Sequence, residues 1–378
     1  MGASTPSPEA QYNQTNRAVR VNCRDCAPYN RYAMNPDWKS FLAQHAADFD
    51  AGVVQSFGDA ASELCTAAQA TVLCDLSQFG TLRVSGEEVQ TFLQNLLSND
   101  IREVSATRAQ FSSFNSPKGR MLASMLIWRN GDGYLLQLPR DLCEPMRKKL
   151  SMYVLRAKVK ISDASDEVVS LGLSGTDAHE ILGKQFGELP QLPLGFIDTE
   201  QASVLKFSDT RFQISTTPQC APALWQSLSQ HARPAGSVCW DWLNIRAGIP
   251  VILPATQEQF VPQMVNLDLV GGVSFKKGCY PGQEIVARMQ YLGKLKRRMY
   301  LAHVNGNEAP RPGDELFSAD MEGQASGMVV NATSAPDGGY EVLAVVQTSS
   351  QETQSVHWKT LQGAALQFLP LPYPLPQG

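Results

Sequence analysis

From residue 70 onward the apolar residues switch repeatedly between a spacing of two and a helical spacing, without settling into strand–helix alternation. "ATVLCDLS" and "GTLRVSG" alternate like strands. "GEEVQTFLQNLLSND" then sets Val89, Phe92, Leu93, Leu96 and Leu97 on one helical face. "RAQFSSFNSPKGRMLASMLIWRNGDGYLLQLP" reads as two strands around a tight NGDG turn, and "CEPMRKKLSMYVLRAKVKIS" as a helix running into a strand. The style repeats over residues 166–232, with strands at "VVSLGLSG" and "SVLKFSDTRFQIST" and helices at "TDAHEILGKQF" and "PALWQSLSQHA". Such an order favours an α+β fold over a doubly wound one. Residues 298–368 are rich in strand patterns divided by Gly/Pro turn signals, which predicts a small β-barrel or sandwich. The tail "LPLPYPLPQG" reads as an extended strap or a loose end.

With 378 residues, 43% hydrophobic and 18% charged, and a net charge of −4, the composition is that of a soluble globular protein of two or three domains. No stretch approaches the roughly 20 apolar residues of a membrane span. Residues 1–33 are polar and aperiodic, which predicts a disordered extension. They lack the apolar region of a secretory signal, so the expected address is cytoplasmic. Four arginines against two acids is the bias of a transit peptide, but no amphipathic face accompanies it. Met34 is an alternative start. Beyond it, Asn35 or Asp37 is placed to cap a helix burying Trp38, Phe41 and Leu42. The expected organisation is an extension over 1–33, two interwoven α+β domains over 34–295, and a barrel over 296–378.

Eight scattered cysteines do not form a disulfide framework in a chain of this size. Cys23 and Cys26 make one CxxC pair, and one pair cannot complete a four-ligand zinc site. Cys279 differs. It sits in "SFKKGCYPGQEIVARMQYLGK", residues 274–294, behind Lys276 and Lys277 and just ahead of Pro281, a residue suited to a first helical turn. Positive charge and a helix N-terminus both favour a thiolate. A buried structural cysteine is the competing reading. A cysteine hydrolase would need a histidine partner, and none of the five histidines lies in a recognisable catalytic motif. Gly278 and Gly282 allow tight turns or close approach of a ligand. Glu284 and Arg288 stand at i and i+4, which by itself is an ordinary helix pair.

Two other stretches carry candidates. "LLSND" ends at Asp100, where a helix terminus is the plain reading. "NSPKGRM" is a turn presenting Lys118 and Arg120, able to hold an anion or simply to be solvated. Lys276, Lys277, Arg288, Lys294, Lys296, Arg297 and Arg298 make the region after 275 locally basic, which suits an anionic small ligand. Nucleic-acid binding has neither a module nor a basic balance to support it.

Together, "KKGCYPGQEIVAR", the upstream "NIRAGIPVILPATQEQFVPQMVNLDLVGGVSF", and "FLQNLLSNDI", "SPKGRMLASMLIWR", "LLQLPRDL" and "VLRAKVKI" in order resemble the YgfZ-type folate-binding proteins over residues 36–376. That family shares its fold with the T-protein of the glycine cleavage system, an aminomethyltransferase using tetrahydrofolate in a central channel. The resemblance implies a tetrahydrofolate-binding protein that supports assembly or repair of iron–sulfur clusters in client enzymes. It implies Cys279 as the functional thiol, Lys277 favouring its thiolate, and Asp100 facing the folate. Gln283, Glu284 and Arg288 would position the motif and line the channel, while Lys118 and Arg246 are candidates for anion contact. No metal site, nucleic-acid partner or membrane contact is expected, and one motif cysteine does not make a stable cluster site. The T-protein's Gly-Tyr-Thr-Gly-Glu-Asp-Gly stretch is replaced here by "KFSDTRFQIST", which argues against ordinary aminomethyl transfer. A folate-dependent one-carbon transferase is nevertheless the alternative, and a cysteine acyl-transfer enzyme a third reading.

Overall fold

Asn35 caps the helix Pro36–Gln44, its side-chain oxygen accepting from the amides of Asp37 and Trp38. The computed structural model describes residues 34–291, 295–353 and 355–376; the N-terminal extension, with Cys23 and Cys26, and Lys294 lie outside these. The helix buries Trp38 and Leu42 and leaves Phe41 half-buried. The Trp38 indole N–H donates to the buried carboxylate of Asp75 at 2.8 Å, which fixes the helix on a strand end.

Two sheets carry the bulk of the chain. One runs in the order Phe196–Asp198, Ala202–Ser208, Arg211–Thr216, Val169–Ser174, Val72–Asp75, Arg233–Ala235, antiparallel except for the last pair. The other runs Gln110–Asn115, Met121–Asn130, Gly133–Pro139, Phe79–Ser85, Lys160–Asp163, antiparallel throughout. The chain crosses from the first sheet to the second over residues 76–78, so Gln78 and Phe79 stand where the sheets meet. The NGDG turn joins Asn130 to Gly133 as expected. The stretch read as two strands contains three, because "SPKG" forms its own turn before Met121.

Helices pack against each sheet. Pro36–Gln44, Ala178–Phe186 and Ala221–Leu228 bury Leu42, Leu182 and Trp225 against Leu171, Leu173 and Phe212 of the first. Val89–Gln94 and Arg140–Ser151 bury Phe92, Leu93, Leu142 and Leu150 against Leu82, Val84 and Leu136 of the second. Each such large side chain removed from water stabilises the fold by about 1.5–3 kcal/mol.

The last sheet, Val356–Trp358, Glu315–Ser318, Ala325–Ser334, Tyr340–Gln347, Arg297–Val304, Leu366–Leu369, is antiparallel. It curls until its outer strands meet at a bridge between His357 and Ala365, the expected small barrel. Met299, Leu301, Val330 and Leu343 of this sheet share a core with Met121, Ile245 and Ile252. The proline-rich tail is a docked strap: the Tyr373 O–H donates to the Gly248 carbonyl at 2.7 Å.

Candidate functional site

The helix expected to run through Leu97 stops at Gln94, and the reason lies about 180 residues downstream. Lys277 is buried, and its ammonium donates to the carbonyls of Gln94 (2.6 Å), Leu97 (2.5 Å) and Asn99 (3.2 Å). Carbonyls at a helix C-terminus have no partner within the helix, and a cation there also meets the negative end of the dipole. Burial lowers the pKa of Lys277 to about 8, with the Asp100 carboxylate acting in the opposite direction. Its hydrogen bonds therefore go to the helix end rather than to the thiol. The aromatic face of Tyr280 completes the enclosure at 5.0 Å.

Cys279, two residues on, is exposed. Cys74, Cys143 and Cys239 are buried, and burial pushes their thiols up, to about 12 for Cys143 and Cys239. Among the described residues no histidine hydrogen-bonds Cys279, and no group of three or more His, Cys, Asp and Glu forms a metal cluster. A Cys–His acyl-transfer arrangement has no support here.

The loop is clamped on its other side by two glycines. Gly119 (φ +71) and Gly282 (φ +77) both adopt the left-handed region, and a Cβ on Gly282 would stand 2.5 Å from the backbone of Gly119 and from the Ser116 carbonyl. This contact seats the helix Gln283–Tyr291 against the SPKG turn. A Cβ on Gly278 would meet open space, so the backbone beside the thiol is open to close approach.

The other candidates scatter. Gln283 donates to the Lys277 carbonyl at 3.3 Å and so braces the loop. Glu284 and Arg288 are exposed, and among the described residues no ion pair joins them. Lys118 is exposed at the tip of its turn. Arg246 reaches Glu341 of the barrel at 3.5 Å. Asp100 is held by a neighbour absent from the sequence reading: Arg102 grips it from Nε at 2.8 Å and Nη2 at 2.5 Å. Those bonds lower its pKa to about 2, so the carboxylate stays ionised near neutrality.

The sequence reading also missed a cavity of about 50 Å³ between the sheets, walled by Phe79, Phe207 and Trp240 with Gln137, Gln213 and Asn244 among them. Arg211 organises it. Its guanidinium lies 4.0 Å from the Trp240 ring and 5.1 Å from Phe207, and Nη2 donates to Asn244 Oδ1 at 2.6 Å. The amide N–H₂ of Asn244 then has no partner among the described residues, and neither does the buried Nε2 of Gln137. An adjoining cavity of about 110 Å³ shares Phe79, Pro139, Asn244 and Val251, and adds Gln78 and Asp241. Aromatic walls with orphaned amides fit a flat heteroaromatic ring, and so fit the pterin of a folate. Small-molecule sites usually enclose roughly 300–1,000 Å³, so entry of such a ring requires side chains to move. The legible signal was "CWDWLN": Asp241 and Asn244 stand among the buried Cys239, Trp240, Trp242 and Ile245 of one helix.

Comparison with known proteins agrees with this architecture. Residues 34–276 match the family model of the GCVT N-terminal domain. The chain is 32% identical over 306 residues to the tRNA-modifying protein YgfZ of Shigella boydii serotype 4 (strain Sb227), covering 80% of this chain and 93% of that relative. The same identity holds over 305 residues for the YgfZ of Escherichia coli O6:H1 (strain CFT073), with the same coverage. This chain belongs to the YgfZ-type proteins of the GCVT-domain family. Among solved structures, glycine cleavage system aminomethyltransferase T from Bartonella henselae superposes with a TM-score of 0.73 at 18% identity, over 88% of this chain and 96% of that one. The YgfZ-type fold expected from the sequence is therefore the fold present. No helix among the described residues is long and apolar enough to cross a membrane.

Proposed function

We propose that this YgfZ-type chain binds tetrahydrofolate in the aromatic cavity and uses Cys279 to support assembly or repair of iron–sulfur clusters in client enzymes. The observation that carries the reading is the pairing of an exposed thiol on a clamped loop with an interior cavity of aromatic walls and orphaned amides. Phe79 and Trp240 would flank the pterin, and Gln137, Gln213 and Asn244 would meet its polar edge. When bound, tetrahydrofolate supplies a one-carbon carrier. The protein's own residues bind and orient it, exclude water, and hold Cys279 where a large partner can reach it. Lys277, Gly282 and Gln283 fix the loop, while Gly278, Glu284 and Arg288 leave its outer side accessible. Lys118 would contribute positive charge beside it. A cytoplasmic setting is the one in which such a free thiol stays reduced.

The relatives are named for tRNA modification, and a protein that maintains the cluster of a tRNA-modifying enzyme would fit that name without touching tRNA itself. A folate-dependent one-carbon transferase is the second reading, favoured by the fold. Against it, Asp100 is neutralised by Arg102 and strongly ionised, which is unsuited to giving up a proton near pH 7.

The test is rescue. In cells lacking this gene, the activity of a 4Fe–4S enzyme is measured with wild type or Cys279→Ala restored at matched expression. Recovery with wild type and not with the variant is the expected result. Equal recovery removes the thiol from the function. Turnover of a one-carbon folate by purified Cys279→Ala, lost in Asp100→Ala, would replace this reading with the transferase.

A further inference from the structure

Asp241 and Gln78 lie together on the wall of the larger cavity, and neither is fully used by the protein. The Gln78 Nε2 donates to Asp241 Oδ1 at 3.2 Å, whereas the Gln78 Oε1 is buried without a partner. Asp241 Oδ2 accepts no hydrogen bond from the described residues. Arg211, the cation that acts on it, donates from Nη1 to the Leu243 carbonyl (3.1 Å) and from Nη2 to Asn244 Oδ1, while its Nε has no partner among the described residues. Burial consequently pushes the Asp241 carboxyl up to about 6. The Asp241 side chain is half-buried, so Oδ2 is open toward the cavity, where a ligand can meet it. Placement explains why the two groups meet: Asp241 projects from the helix that carries Trp240 and Asn244, and Gln78 ends the short crossing between the sheets.

We propose that Asp241, with Gln78 beside it, recognises the edge of a flat ring bearing two adjacent N–H donors, an N–H next to an exocyclic amino group as in a 2-aminopyrimidinone. Two oxygen acceptors side by side suit two donors side by side, and the aromatic wall residue Phe79, shared by both cavities, suits the face of a flat ring. A metal ion is a poor alternative, because the described residues offer no cluster of three or more ligating side chains. The assignment rests on the folate reading and adds which edge of the pterin is read and by which side chains.

The experiment compares 6-hydroxymethylpterin with 6-hydroxymethyllumazine, in which a carbonyl replaces the 2-amino group, by calorimetric titration of the full-length protein. Wild type is expected to prefer the pterin by at least about tenfold, since the lumazine carbonyl would face the carboxylate. Asp241→Asn, whose amide can meet either group, is expected to bring the two within about threefold. Gln78→Met should weaken the preference partially and serves if the Asp241 variant does not fold. Equal binding of both rings by wild type overturns the assignment and leaves the folate reading standing. A preference that survives intact in Asp241→Asn also overturns it. Binding of neither ring by wild type removes the folate reading and this assignment together.

Discussion

The cysteine loop and the aromatic cavity solve opposite problems. The loop is a nearly contiguous run of sequence, exposed at its tip and over-determined at its base. Lys277 ties it to three carbonyls, and two left-handed glycines press it against the SPKG turn. The cavity is assembled from residues far apart in sequence, and its polar groups are under-determined: among the described residues, Gln78 Oε1 and Gln137 Nε2 are buried without partners and Asp241 Oδ2 accepts no hydrogen bond. A group to be presented outward is held rigidly by complete hydrogen bonding. A group to receive a ligand inward is left incomplete, at a cost in stability.

That contrast can be broken at its strongest point first. Lys277→Met leaves three carbonyls, at and just beyond the helix end, without their donor and should destabilise the fold by about 3 kcal/mol in urea titration, whereas Cys279→Ala should change it by less than about 0.5 kcal/mol. Comparable losses in both would show that the loop is not anchored as described. Gly282→Ala combines a positive φ with a 2.5 Å approach to Gly119 and should cost roughly 2–3 kcal/mol, read as a lowered Tm. Its neighbour Gly278→Ala should be silent, because a Cβ there meets nothing.

On the cavity side the sign reverses. Asp241→Asn should stabilise the ligand-free protein by about 1–2 kcal/mol at pH 8. The carboxyl titrates near 6 in the folded chain against 3.8 when free, so the native state binds its proton more tightly. Wild-type stability from this group is present below pH 3.8 and is lost as pH rises through 6. The variant's advantage must therefore grow across that window; an advantage flat with pH would mean the carboxylate is better satisfied than its surroundings indicate. The smallest effect belongs to Arg102→Ala, because Arg102 is largely exposed and its ion pair with Asp100 is screened by solvent. The Asp100 pKa is lowered, so this contribution exists above pH 3.8 and fades as pH falls to about 2. Denaturant midpoints at pH 3 and 7 would measure it.

Local signals in the sequence were legible because their physics is local. The NGDG turn and the Asn35 cap depend on neighbours within a few positions, and the strands at Val72–Asp75 and Phe79–Ser85 were marked by their own apolar runs although their partners are distant. The cysteine motif stood out as a rare run of residue types. The use of Lys277 did not, because adjacency in sequence points its charge at Cys279, while the acceptors that take it lie at residues 94–99. Asp100 was likewise singled out without Arg102, although the two are separated by one residue; a helix-terminal aspartate gives no sign that it is gripped from its own C-terminal side. The cavity required the topology itself, since Phe79, Gln137, Gln213 and Trp240 come from both sheets and a helix.

The strap around Tyr373 bears on when this protein can work. Its hydroxyl latches Gly248, which follows directly on the helix bearing Trp240, Asp241 and Asn244. During synthesis that helix is made more than a hundred residues before its latch, and the barrel that shares its core is made in between. The helix that walls the cavity is thus among the last elements to be locked in place as the chain grows, and a nascent chain that already presents its thiol loop still lacks that latch.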